Sequence, residues 1–85
     1  MSEHKREIYK TNINFLNEKG TGKLSRREAD IVEKYCMRGG SVMEVANIIY
    51  GKTDESALLM AFSYIQGLVR KGFLSKVERS RNLEK

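Results

Sequence analysis

Apolar positions along the chain change their period several times, and each change marks an element. In the first segment, "EHKREIYKTNINFLNEKG", Ile8, Asn12, Phe15 and Leu16 fall at helical spacing and Gly20 stands where a helix would stop. The spacing predicts an N-terminal helix there, although Thr11 to Phe15 also alternates as a strand would. Ser25-Arg26-Arg27-Glu28 is a capping box: the serine oxygen takes a free first-turn amide and the glutamate returns to the serine amide. The helix it opens carries Ala29, Val32, Tyr35 and Cys36 on one side, and Gly39-Gly40 would end it. A second box, Ser41-Val42-Met43-Glu44, opens a shorter helix with Val42, Val45, Ala46 and Ile49 inward and Gly51 at its close. Thr53 or Asp54 caps a third helix running to about Lys71, and Asp54 and Glu55 suit its positive dipole end.

On that third helix Leu58, Ala61, Ile65, Leu68 and Val69 share one arc at about 100° per residue. The opposite arc holds Ser56, Leu59, Met60, Ser63, Gly67 and Arg70, with Gln66 at its edge. After Gly72, "FLSKV" alternates as a strand, Arg79 to Asn82 read as a turn, and Leu83 to Lys85 as a short return. The predicted order is an N-terminal helix, three helices with a tight turn between the second and third of these, and a β-hairpin. The class is mainly α with a small β-hairpin wing. Residues 1–20 form a basic N-terminal segment and 24–85 one domain.

From "LSRREADIVEKYCMRGG" onward the chain resembles winged helix-turn-helix transcriptional regulators of the penicillinase-repressor and MarR types. Carrying the resemblance are Leu24-Ser25 with Glu28, Val45-Ala46, and above all "GLVRKGFLSKV" at 67–77. These are packing and capping signals rather than chemistry. The resemblance implies a sequence-specific regulator that binds double-stranded DNA, with the helix at about 54–71 in the major groove and a basic wing at 73–85 on the backbone or in the minor groove. Ser56, Ser63 and Gln66 would then face base edges, since hydroxyls and glutamine read bases well. Arg70, Lys71, Lys76, Arg79 and Arg81 would meet phosphate, joined by Arg26 and Arg27, which open a helix whose dipole disfavours cations there.

Two features depart from the pattern. Leu59 and Met60 stand on the outward arc with no basic residue before Arg70, and Asp54 and Glu55 lie where phosphates would approach. The families' C-terminal dimerising helices are also missing, so a homodimer would use Ile8, Ile13, Phe15 and Leu16. The rival reading is a protein-binding winged helix, an adaptor or small replication or assembly subunit contacting its partner through Leu59 and Met60.

Charge sharpens the DNA reading. The formal net charge is +5, and it is uneven. Residues 1–27 hold seven Lys/Arg against three Glu, and residues 70–85 six against two, while 28–69 hold three against six Asp/Glu. Basic ends around a mildly acidic middle suit a polyanionic partner met at the ends.

Other chemistries find little footing. Gly20-Thr21-Gly22-Lys23 is no phosphate loop, because Asn17 stands where its first glycine belongs and Leu24 where Ser or Thr must follow the lysine. Cys36 and His4, the one cysteine and the one histidine, are far apart, which argues against a metal and against nucleophilic catalysis. No enzyme activity and no cofactor are expected. A lone cysteine and a charged start without an apolar core fit a cytoplasmic protein, and no apolar run approaches the roughly 20 residues of a membrane span. Cys36 reads as a small buried hydrophobe and His4 as a tail residue.

Overall fold

The computed structural model describes residues 7–77. Helix accounts for 61% of this, beside a small antiparallel sheet. Both capping boxes form. In α2, Arg26–Asp30, the Ser25 hydroxyl accepts from the Glu28 amide at 3.2 Å and the Ser25 amide donates to the Glu28 carboxylate at 3.0 Å. In α3, Val42–Tyr50, Ser41 and Glu44 repeat the exchange at 3.1 and 2.9 Å. The longest helix, α4, Glu55–Lys71, is capped by Asp54, whose carboxylate accepts from the Ala57 amide at 2.9 Å. Gly51 and Gly72, at φ +73° and +97°, end α3 and α4 in the left-handed region that side chains disfavour. No helix of the described residues is long and apolar enough to cross a membrane.

The N-terminal segment departs from the helix expected through Ile8 and Leu16. It begins as a strand, β1 (Ile8–Thr11), and turns helical only at α1 (Ile13–Lys19). Partners far away in sequence decide this. β1 lies in the middle of a three-stranded sheet, between β2 (Gly40–Ser41) and β3 (Leu74–Lys76). Tyr9 faces Gly40 on one side and Lys76 on the other, and Thr11 faces Leu74. Asn12 closes the corner: its amide side chain donates to the Gly72 carbonyl at 2.8 Å and accepts from the Ser75 hydroxyl at 2.9 Å. The Asn12 backbone amide donates to the Phe73 carbonyl at 2.8 Å, so the corner where β1 ends is tied to the strand end beside it. The strand paired with β3 is therefore β1, from the other end of the chain. The returning strand expected at 83–85 lies outside the described residues.

α2 does not continue to Gly39. After Asp30 the chain winds through one wide turn, Ile31–Tyr35, in which the Cys36 amide donates to the Ile31 carbonyl at 2.9 Å, five residues back. The widening leaves the Val32 carbonyl free of its usual helical donor. The buried Thr11 hydroxyl takes it at 2.6 Å, and the Thr11 amide donates to the Cys36 carbonyl at 3.0 Å. One threonine thereby fastens β1 to the end of α2. Thr11→Val keeps the shape and removes the donor, leaving a buried carbonyl unmatched, which costs about 1–3 kcal/mol. Urea unfolding should show the midpoint lowered at constant slope. An unchanged midpoint would mean that this bond contributes nothing.

The core lies where the sheet, the wide turn Ile31–Tyr35, α3 and α4 meet. Ile31, Val32, Val45, Ile65, Leu68 and Leu74 are fully or almost fully buried there. Phe15 of α1 meets Phe73 edge-on, ring centroids 5.0 Å apart. Cys36 is also buried, and loss of solvent, then the nearby Glu44 charge, pushes its thiol up to about 12, out of the range of a reactive thiolate.

Candidate nucleic-acid interface

α4 presents the face on which the expected base-reading residues stand. With 17 residues it is roughly 25 Å long, and Ala57, Ala61, Ile65 and Leu68 bury its inner side. Ser56, Leu59, Met60, Ser63 and Arg70 point outward and are exposed. Ser56 and Ser63 have no side-chain hydrogen bond among the described residues, so their hydroxyls are available. Leu59 and Met60 are 62% and 44% exposed, a wide apolar surface between the two serines.

Gln66 is placed differently from the expectation. It is half-buried, and its side-chain amide donates to the Tyr9 hydroxyl at 3.3 Å. Tyr9 in turn donates to the Glu7 carboxylate at 2.8 Å, and the other oxygen of Glu7 pairs with Lys76 at 3.3 Å. Burial, then Glu7, pushes the Tyr9 phenol up to about 12. The chain Gln66–Tyr9–Glu7–Lys76 ties the outer edge of α4 to the sheet. Gln66 serves there as a tether, and Lys76 carries a charge already matched.

The other expected phosphate contacts also divide. Lys71 pairs with Glu28 at 3.2 Å, across 43 positions of sequence. The Ser25 amide is the first cause that lowers the Glu28 carboxyl below its ordinary range, and Lys71 adds to it. Arg27 lies over two rings, its guanidinium carbon 5.5 Å from the Tyr50 centroid and 5.9 Å from that of Tyr64. Both distances are within the reach of a cation–π attraction. Arg26 and Arg70 are exposed and have no ion pair among the described residues. Arg79 and Arg81 lie outside the described residues.

The expected dimer residues are mostly engaged within the chain. Phe15 packs on Phe73, Leu16 lies against the core, and Ile8 is half-buried in β1. Ile13, at 43% exposed, keeps an open apolar surface.

Tyr50 and Tyr64 were not among the expected site residues. They wall a shallow groove with Arg27, Glu28, Met60 and Ser63. Tyr64 sits at the edge of the outward arc of α4, which is a sequence signal, but nothing local to Tyr50 announces its approach to Arg27. No protein-family model, curated protein or solved structure matches the chain.

Proposed function

We propose that the protein is a winged helix-turn-helix DNA-binding regulator that lays α4 in the major groove of a duplex. The observation that carries this reading is the outward arc of α4: two serines and Arg70, none engaged by another side chain among the described residues, along a helix whose other side is core. Support also comes from the turn Gly51-Lys52-Thr53-Asp54, which joins α3 to the longer α4 as in helix-turn-helix pairs. β3 follows α4 directly across Gly72, as the first strand of a wing would. A homodimer reading palindromic half-sites belongs to this proposal.

The exposed Leu59 and Met60 favour a second reading, a protein-binding adaptor that docks through the same helix. Selection from a random duplex library, at about 0.1 M salt where backbone attraction is moderate, separates the two. A regulator enriches one motif, two-fold symmetric with half-sites about one helical turn apart if it is dimeric. Ser63→Ala should then alter the motif, and Arg70→Ala should weaken all sequences alike. Recovery of no duplex would overturn the DNA reading and leave the adaptor.

A further inference from the structure

We infer that Arg27, held over the rings of Tyr50 and Tyr64, is a preset clamp for one phosphodiester of a bound duplex. The inference rests on the DNA reading above and adds to it a defined seat for the backbone, with two tyrosines as positioning residues. Three observations lead to it. First, Arg27 is exposed and its guanidinium has no hydrogen bond or ion pair among the described residues. Ring faces attract the cation but leave the donors at its edge unmatched.

Second, the one carboxylate in the groove is fully committed. One oxygen of Glu28 accepts from the Ser25 amide and the other pairs with Lys71. Glu28 and Lys71 cancel, so the groove retains the charge of Arg27. This sets Arg27 apart from Lys71 and Lys76, whose charges are matched inside the fold.

Third, the groove opens beside the outward arc of α4, with Met60 and Ser63 belonging to both. A helix with its side chains is about 10–12 Å across and the major groove about 12 Å wide. When such a helix lies in the groove, the flanking phosphates pass along its sides, where α2 and the end of α3 rise beside α4. Arg27 occupies that flank. A guanidinium already oriented by two rings loses less freedom on meeting the phosphate than a free side chain, and its planar fork matches the phosphate oxygens as an ammonium does not.

The test is equilibrium binding of the full chain to a mixed-sequence duplex of about 20 base pairs, which supplies enough phosphates for non-specific binding. Salt is varied from about 50 to 200 mM, for wild type, Arg27→Ala, Arg27→Lys, Tyr50→Leu and Arg38→Ala, the range over which counterion release is readable. Arg38 is exposed and follows the wide turn Ile31–Tyr35, so it controls for the loss of one charge. Arg27→Ala should make the salt slope shallower by about 0.9, so that its loss of affinity over this range is about 3.5-fold smaller than that of wild type. Arg27→Lys should recover slope but not affinity, Tyr50→Leu should lower affinity at unchanged net charge, and Arg38→Ala should keep the slope. Thermal melting establishes that each variant is folded, and the lysine variant decides should the alanine variant not fold. Equal changes in Arg27→Ala and Arg38→Ala, or none in the Arg27 variants, overturn the clamp and leave DNA binding standing. A wild type that binds no duplex at the lowest salt overturns both.

Discussion

A chain shortened to begin at Lys23 should fail to fold. Read along the sequence, residues 24–85 form a self-sufficient helix-turn-helix unit with a basic segment attached in front. In the structure that segment supplies the central strand. Without β1, the strands β2 and β3 have no partner among the described residues, because each pairs with β1 and not with the other. The Val32, Cys36 and Phe73 carbonyls lose the donors that Thr11 and Asn12 bring. Buried Tyr9 and half-buried Phe15 and Leu16 vanish from the side of the core, removing on the order of 5 kcal/mol of apolar burial. A domain of this size is stable by only about 4–13 kcal/mol, so most or all of the margin disappears. Circular dichroism should show no cooperative melt, and amide proton shifts should collapse towards random-coil values. A shortened chain melting cooperatively near the full-length temperature would show that the sheet is dispensable and the core self-contained.

Gly40→Val should be nearly as damaging, for a different reason. A Cβ at Gly40 would stand 2.7 Å from the Tyr35 carbonyl oxygen and 3.6 Å from the Cys36 sulfur. The first is a backbone atom at the end of the wide turn of α2, so no side-chain rotation relieves the overlap. Either the turn or β2 must move, and β2 is only two residues long and pairs with β1 through Gly40 itself. Overpacking of this kind costs on the order of 3 kcal/mol, or more when the backbone has to shift. Urea unfolding of Gly40→Val against Gly22→Val is the measurement, since a Cβ at Gly22 meets nothing within 4 Å. Equal stabilities would refute the close approach.

Helix starts were legible because their chemistry is local. Ser25 and Glu28, Ser41 and Glu44, and Asp54 with the Ala57 amide act over three residues, and all three caps form as the sequence indicates. The outward arc of α4 was legible too, since period alone puts Ser56, Ser63, Leu59, Met60 and Arg70 opposite the buried Ala61, Ile65 and Leu68. Gln66 was not: it stands at the edge of that arc, and whether an edge residue meets solvent or a neighbour depends on what packs there. Here Tyr9 does.

The strand at Ile8–Thr11 was hidden for a related reason. The alternation in the sequence stands at Thr11 to Phe15, mostly in what becomes α1, while Ile8 to Thr11 fit the helical spacing, and strand pairing is worth nothing until distant partners arrive. Gly39-Gly40 looked like a helix stop, but the helix ends earlier, at the wide turn whose spare Val32 carbonyl accepts from the Thr11 hydroxyl. Gly40 is needed for close approach rather than for stopping a helix.

The sequence by itself determined where α2, α3 and α4 begin, which faces of α3 and α4 go inward, and that positive charge gathers toward the two ends of the chain. Those follow from interactions within one helical turn, or from composition, and need no partner. Only the tertiary structure decided which cations are already matched. Lys71 meets Glu28 and Lys76 meets Glu7, whereas Arg27 lies over the rings of Tyr50 and Tyr64 with its charge unmatched among the described residues, all across gaps that no local pattern spans. Charge is written into a residue, but whether it is available to a ligand depends on what the folded chain brings within a few ångströms of it.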